Sequence, residues 1–375
     1  MERSLLNKII CPTIVNGSRC GGRLFLHEDE VGPLFHGENQ EEIIEGALCC
    51  SKCGMFYPVL LGVPVLLDGI RSFLRYGIKL IAGFIETHGK MRSSMRKFIN
   101  NEILRAMKHK DEPVAPISTE YKGMTADGMA KYIAVYLDTH FGDREKSAGN
   151  HITRQINGIL RSEKDPPGAM VEMAGNHLET QDPVGLDLGC SVGGLTYRLA
   201  PLCREIIGVD LSFEKIFYAR GILKHLPERI STYPRYHEGS YFEEIPIPIE
   251  KLDHAEFLVA SAENLPFEDS SFDLLTSANL VDIVNDPLKL IAEKERLLRE
   301  EGLCVISTPF LYNSATVVNH FAVNKKQPVQ VLKDLLAPTF EFLEEIDNLP
   351  WLMRHADRKY ELLYDFVLAA RKKIT

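Results

Sequence analysis

Two groups of side chains in this 375-residue sequence have the types and spacings that chemistry needs. The first surrounds a glycine turn. Val184-Gly-Leu-Asp-Leu-Gly-Cys-Ser-Val-Gly-Gly194 is a short apolar run ending in small residues, and a helical pattern begins at Leu195. Seventeen positions beyond Gly193, the apolar run Ile206-Ile-Gly-Val209 ends on Asp210. A strand, a tight turn, a helix and a second strand tipped by an acid cradle a nucleoside-containing cofactor. The glycines let the backbone approach it, and the acid takes the ribose hydroxyls.

The second group is cysteine. Five of the eight cysteines fall in the first 53 positions, and Cys50-Ser-Lys-Cys53 is a CxxC. Such a turn aims two thiolates at one point, and Cys11 with Cys20 completes a tetrahedral zinc site. Cys49 stands beside Cys50, and the spacing alone leaves open which of the two is the ligand. The first pair is separated by eight residues, wider than a usual knuckle, and Gly21-Gly22 follows it with flexible backbone. A four-cysteine site of this kind is closed and structural.

The elements that position these groups follow from apolar patterning. Arg23–His27, Glu42–Leu48 and the proline-broken run Met55–Leu67 read as short strands too few to sustain a core without a metal staple. Residues 68 to about 115 read as helix. Phe73, Leu74, Ile78, Ile81, Phe84 and Ile85, then Met91, Met95, Phe98, Ile99 and Ile103, recur at three- and four-residue steps. Pro113 and Pro116 end that segment. From Arg71 to Lys110 there are ten basic and two acidic side chains, in a chain of net charge −9. A basic amphipathic helix can meet a membrane surface or nucleic acid, or pack its stripe on a neighbouring domain, the reading we favour. The acidic balance of the whole argues against broad nucleic-acid binding. Leu5-Leu6 and Ile9-Ile10 are too short for the core of an export signal, and no apolar run approaches the ~20 residues of a membrane span. The expectation is a cytoplasmic protein.

Beyond Tyr121, helix-like and strand-like segments alternate, with a helix over Gly128–Phe141. Strands are expected at Gly185–Leu188, Glu205–Val209, Phe257–Ala260, Phe272–Ser277, Leu303–Thr308, Phe340–Ile346 and Tyr360–Ala369. This alternation specifies a mostly parallel sheet with helices on both faces, and the last two strands suit an antiparallel edge.

On these residues two resemblances stand out. Leu5-Leu6 before Cys11-Pro12, the CxxCG at Cys50–Gly54, and Tyr57-Pro58 followed by Gly62-Val-Pro-Val-Leu66 resemble a Trm112-like zinc ribbon over roughly residues 1–67. That resemblance implies structural zinc and a scaffolding or partner-docking role. Asp187-Leu-Gly-Cys-Ser-Val-Gly193 resembles the first motif of class I S-adenosylmethionine-dependent methyltransferases, with Ser191 where a glycine is usual. Asp210, Ser261–Phe267, Ser271–Asp273, the helical stretch Glu293–Gly302 and Ile306–Pro309 follow in the family's order. The fold implied is α/β, a Rossmann-like seven-stranded sheet preceded by a small β zinc ribbon (1–67) and a basic helical connector (68–118), with the catalytic domain over 119–375. The cofactor implied is S-adenosyl-L-methionine, held by Asp187, Gly189, Cys190, Ser191, Gly193, Asp210, Leu211, Ser212, Ser261, Ala262, Glu263 and Asn279. Many relatives carry aspartate at the position of Ser261, so the adenine contact falls to a serine oxygen or to Glu263. A nicotinamide-dinucleotide fold fits less well, because its G-x-G-x-x-G differs from Gly189, Gly193 and Gly194 here.

A finer resemblance covers Thr125–Lys372. Tyr132–Gly142, Glu238-Gly239, Ala278–Asp282 and Arg354–Tyr360 are similar to the C-terminal methyltransferase domain of ovothiol synthases. It implies a small polar acceptor, such as an imidazole or thiol compound of the mercaptohistidine kind. The residues proposed for the acceptor side are Asn279, Asp282, Glu238 and Arg354, with His237, Tyr241, His355 and Tyr360 nearby in sequence. Arg354 could clamp a carboxylate. The insert between Pro227 and Ala255, with Leu349–Tyr360, is expected to form a lid. Two rival functions remain: methylation of RNA or a translation protein docked through the ribbon, and a non-catalytic cofactor-binding scaffold, toward which Ser261 leans.

Overall fold

The computed structural model describes residues 1–28, 31–36, 39–88, 91–108, 126–142, 164–312 and 326–374. The expected end of the connector, residues 110–118, lies outside them.

The N-terminal module contains β1 (Ile14–Val15), β2 (Ser18–Arg19), β3 (Leu24–Leu26), β4 (Leu34–His36), β5 (Asn39–Cys50), β6 (Phe56–Leu60) and β7 (Val63–Pro64). β1 and β2 form a hairpin of their own between Cys11 and Cys20, while β3, β5, β6 and β7 make one antiparallel sheet, with β4 also on β5. Two helices follow, α1 (Ile70–His88) and α2 (Ser93–Lys108). Their apolar stripe is buried: Phe73, Leu74, Ile81 and Ile85 of α1 and Met95, Phe98 and Ile99 of α2 enter the common core. Several of their charges pair locally, with Arg71 on Glu102 at 2.8 Å and Arg92 on Glu45 at 2.7 Å.

The remainder runs α3 (Ala126–Phe141), α4 (Pro166–His177), β8 (Val184–Leu188), α5 (Gly194–Leu199), β9 (Glu205–Asp210), α6 (Phe213–Leu223), β10 (Thr232–Tyr236), β11 (Phe242–Pro246), β12 (Ala255–Val259), β13 (Phe272–Ala278), α7 (Pro287–Leu297), β14 (Leu298–Thr308), α8 (Pro328–Leu336), β15 (Phe340–Ala356) and β16 (Lys359–Lys372). The sheet order is β12-β9-β8-β13-β14-β16-β15. The first five strands are parallel, and β16 runs antiparallel to both β14 and β15. The chain moves outward from β8 through β9 to β12, then returns to place β13 on the other side of β8. This reversal is the topological switch at which open α/β sheets bind ligands. The five parallel strands, β8 and β12 throughout, are buried on both faces, as parallel strands require.

Two differences from expectation are physical. The insert folds as the hairpin β10–β11, with Tyr236 paired to Phe242 across Gly239. The segment Leu349–Tyr360 is no loose lid but the far part of a 17-residue strand and its 14-residue partner, paired through Arg354 and Tyr360. Among the described residues no helix is long and apolar enough to cross a membrane.

The N-terminal module packs against the edge strand β12. Val65 bridges Val259 in parallel, and the Leu66 N–H donates to the Val259 carbonyl at 2.8 Å. Arg220 of α6, fully buried, joins Glu42 of β5 to Glu256 of β12, donating to the latter at 2.8 Å.

Candidate cofactor and acceptor site

Over the switch point lies a cavity of about 350 Å³, within the usual size of a small-molecule site. Every residue expected at the cofactor lines it except Gly193. Gly193 acts from behind: it caps α5 at φ 88°, and a Cβ there would lie 2.6 Å from Leu223. Gly189 holds φ 70° and turns the chain so that backbone, not side chain, faces the cavity.

Asp210, at the tip of β9, accepts the Ser191 N–H at 3.0 Å on one oxygen and the Ser212 N–H at 2.9 Å on the other. Its carboxylate is thereby fixed in orientation, and each oxygen keeps lone-pair capacity for a hydroxyl. Asp187 works differently. Its oxygens accept the Thr196 hydroxyl at 2.6 Å and the Thr276 hydroxyl at 2.9 Å, and burial pushes its carboxyl up to about 6. It braces the turn between β8, α5 and β13 from below. Ser261 accepts the Glu263 N–H at 3.3 Å, and Glu263 is itself held by the Asn285 and Asp286 N–H groups at 2.6 and 3.2 Å. Two polar atoms point to a missing ligand. Ser191 Oγ and Asn279 Oδ1 are buried without a hydrogen-bond partner among the described residues, although such atoms are satisfied as a rule. Both residues hold positive φ, 53° and 50°, which aims them from the strand tips. These residues fit a nucleoside cofactor carrying polar groups at both ends.

The acceptor-side residues separate. Asn279 and Asp282 line the cavity, whereas Glu238 and Arg354 do not. Glu238 is exposed and pairs with Arg358 at 2.7 Å. Arg354 is spent inside the protein, 2.6 Å from Asp357 and 3.9 Å from Asp138. Asp138 also takes the Tyr233 hydroxyl at 2.6 Å and Arg235 at 2.7 Å, while His237 meets Asp357 at 3.2 Å. The insert, α3 and the β15–β16 hairpin are thus tied to one another, and only the last two reach the cavity. His355 pairs with Glu361 at 3.2 Å.

The residues that sequence reasoning did not assign are Tyr136, Thr139 and His140 of α3, Lys215 of α6, and Trp351, Met353, Glu361 and Leu363 of the hairpin. Tyr136 and His140 lie four apart, on one helix face, but nothing in that spacing says what the face covers. His140 sits over Gly194 at the start of α5. Burial pushes its imidazole down to about 4, with Arg198 and Lys215 adding to the effect, so the ring is neutral.

In the N-terminal module, the sulfurs of Cys11, Cys20, Cys50 and Cys53 all lie within 4.8 Å of one another. Cys11–Cys53 and Cys20–Cys50 are each 3.6 Å apart, close to the ~3.8 Å edge of a tetrahedron with 2.3 Å zinc–sulfur bonds. Neighbours on a strand face opposite ways, so Cys49 of β5 stays out of the cluster that Cys50 enters. The Lys52 N–H donates to Cys50 Sγ at 3.4 Å, and a Cβ on Gly22 would fall 2.5 Å from that sulfur.

Comparison with known proteins agrees with this geometry. Residues 186–306 match the family described as a methyltransferase domain. The chain is similar to an uncharacterized methyltransferase, YcgJ, of Bacillus subtilis, 26% identical over 117 residues, 31% of this chain and 37% of that protein. It is also similar to norajmaline N-methyltransferase of Rauvolfia serpentina, 26% identical over 173 residues, 44% of this chain and 51% of that protein. It therefore spans at most about half the length of these curated relatives. Among solved structures it is similar to an S-adenosylmethionine-dependent methyltransferase of Methanosarcina mazei, at 19% identity, 54% of this chain, 98% of that chain and a TM-score of 0.36. Residues 186–306, from the glycine turn to the fifth parallel strand, are the stretch that is similar to a methyltransferase domain.

Proposed function

We propose that the chain is an S-adenosylmethionine-dependent methyltransferase that transfers a methyl group to a nucleophilic nitrogen or sulfur of a small polar acceptor, in the cytoplasm. The observation that carries this reading is the cavity at the switch point, with an oriented Asp210 and two buried atoms, Ser191 Oγ and Asn279 Oδ1, that have no hydrogen-bond partner among the described residues. When bound, the cofactor supplies a methyl group already activated on a sulfonium. The protein's share is to hold the sugar by Asp210, orient the far end by Asn279, and exclude water with Trp351, Met353 and Leu363. A cavity of this size suits a metabolite of the imidazole or thiol kind better than a polymer, in keeping with the ovothiol-synthase resemblance. We assign the Trm112-like module one structural zinc on Cys11, Cys20, Cys50 and Cys53; the sulfur spacing supports it.

Calorimetry with S-adenosylhomocysteine tests the reading directly. The parent protein should bind, and Asp210→Ala should weaken binding by roughly 10- to 100-fold, since hydrogen bonds to a charged group are worth about 1.5–3 kcal/mol. Absence of binding by the parent, or an unchanged constant in the variant, refutes the site. Labelled cofactor incubated with metabolite extract and, separately, with total RNA then identifies the acceptor class.

A further inference from the structure

The cavity extends past the glycine turn, and that extension is not needed to hold a nucleoside. The sheet order sets its direction. Asp210 and Ser261 stand at the tips of β9 and β12, on one side of β8, whereas Asp282 and Leu311 follow β13 and β14 on the other. Trp351 and Leu363 of the hairpin, whose strands lie beyond β14, line the cavity there, and His140 of α3 reaches across to Trp351. The Trp351 and His140 rings meet edge to face, 6.2 Å apart at 89°. Apart from the carboxylate of Glu361, which pairs with His355, these side chains present uncharged ring and aliphatic surface.

Asp282 lies among these walls. It is 2% exposed yet faces the cavity. Its two oxygens accept the Leu311 N–H at 3.1 Å and, more loosely, the Thr308 hydroxyl at 3.4 Å. Beside it on β16, Asp365 is fully buried, takes the Ser307 hydroxyl on one oxygen, and has no hydrogen-bond partner on the other among the described residues. Burial raises both carboxyls, Asp282 to about 6 and Asp365 to about 7, and the two acids repel each other. Among the described residues lining the cavity the one cationic side chain is Lys215, on the nucleoside side, with its ammonium 3.8 Å from the Tyr136 ring centre. Positive charge is wanted at the far end and negative charge is repelled there. An acceptor bearing an ammonium or a protonated ring nitrogen meets this requirement, and neutral aromatic faces beside it add cation–π attraction. A thiolate does not meet it.

We propose that Asp282 is the acceptor-side carboxylate of this enzyme, seating a protonated nitrogen (an amine or an N-heterocycle) and taking its proton so that the lone pair can attack. The proposal rests on the methyltransferase reading above and narrows its acceptor to nitrogen. The step balances. The acceptor N–H⁺ gives its proton to the Asp282 carboxylate, and the freed lone pair forms the new bond from nitrogen to the methyl carbon. The carbon–sulfur bond breaks with its electron pair staying on sulfur. The positive charge that sulfur carried ends on the methylated nitrogen, and the acceptor's proton ends on Asp282.

Two probes of the same shape separate the possibilities by binding alone. S-adenosylhomocysteine is neutral at sulfur; sinefungin carries an ammonium in place of the transferable methyl. The proposal puts Asp282 within reach of that position, so the full-length parent should bind sinefungin at least about 10-fold more tightly than S-adenosylhomocysteine, the range of a charge-assisted hydrogen bond. Asp282→Asn keeps the shape and an acceptor for the Leu311 N–H. It should bring the two constants within about 3-fold while leaving S-adenosylhomocysteine nearly unchanged, because only the ammonium senses the lost charge. Asp334→Asn, on α8 outside the cavity, should preserve the preference. A parent without the preference, or a variant that retains it, overturns the role of Asp282 and leaves the methyltransferase reading standing. A variant that loses both probes makes Asp282 structural and overturns the role as well. A parent that binds neither overturns both readings.

Discussion

Gly194→Ala probes how α3 is seated over the cofactor turn. Gly194 opens α5, and a Cβ there would lie 2.5 Å from His140 Cβ and 2.6 Å from His140 Cγ. On helix grounds alone the change should help, since glycine-to-alanine substitutions at compatible positions stabilise by about 0.4–1 kcal/mol through the unfolded chain. Here the methyl has no room, and His140 cannot swing aside cheaply. Its ring is stacked on Tyr136 at 6.5 Å and 16°, and lies edge-on to Trp351. Overpacking of this kind costs about 1–3 kcal/mol, so a net loss of roughly 1–2 kcal/mol is expected. His140→Gly removes the ring and its Cβ together, so alanine at position 194 should be neutral or stabilising in that background. Urea unfolding of the four proteins gives the coupling, expected at ~1–2 kcal/mol. Calorimetry should show weaker S-adenosylhomocysteine binding in Gly194→Ala, because Tyr136 and His140 line the cavity. A Gly194→Ala protein as stable as its parent, or one whose loss is the same with and without the His140 ring, refutes the seating of α3 on α5.

Two further outcomes follow from buried groups. Asp365 has its folded carboxyl raised by burial to about 7, so the folded state holds a proton that the unfolded chain has released, and stability falls as pH rises from about 4 to about 7. Asp365→Asn should therefore gain on the parent across that window, by on the order of 1.4 kcal/mol per pH unit at most; parallel stability–pH curves for the two proteins would disprove the burial of that charge. Removing the metal should reach the cofactor. The Asn264 amide donates to the Pro12 carbonyl at 2.8 Å, and Arg19 donates to Asn264 at 2.9 Å, so the loop from Ser261 to Phe267 leans on the cysteine module. Elemental analysis should find one zinc per chain, and strong chelation, or Arg19→Ala without chelation, should raise the dissociation constant for S-adenosylhomocysteine; an unchanged constant after full metal loss separates the two sites.

The part of the fold legible in the sequence was the part made of short, mainly apolar runs closed by turn residues. Val184–Leu188, Glu205–Asp210 and Phe272–Ala278 are strands buried on both faces, so each reads as one uninterrupted run, and Gly189 and Asp210 mark where two of them end. The cysteine cluster was legible for a similar reason, since a CxxC fixes two ligands locally. What stayed hidden depends on contacts between distant segments. Residues 349–356 mix Pro350, Arg354 and His355 with apolar side chains because one end of that strand serves the cavity and the other solvent, and no single alternation results. Arg354 reads as a ligand clamp until Asp138, 216 positions earlier, is seen to lie within reach of it. The face of α3 that carries Tyr136 and His140 is visible as a face, but its role is set by Gly194, and a glycine announces space without saying who fills it.

The cysteine module is better understood as part of the catalytic sheet than as an appendage. β12 is an edge strand, and an exposed edge with unpaired N–H and C=O groups invites unwanted pairing. Val65 and Leu66 cover it, and Ile10 N–H reaches the Pro266 carbonyl at 2.9 Å just beyond the cofactor loop. Behind this seam Arg220, its side chain fully buried, links Glu42 to Glu256. Breaking a buried ionic cluster of this sort by removing one member costs about 3–5 kcal/mol, because the partners keep their charge without a counter-ion. Such a cluster forms only when both halves have folded and met. The seam thereby couples the metal-bound module to the strand whose tip carries Ser261, so loss of order in the module would be felt first on the nucleoside side of the cavity, and only afterwards at the far end where Asp282 stands.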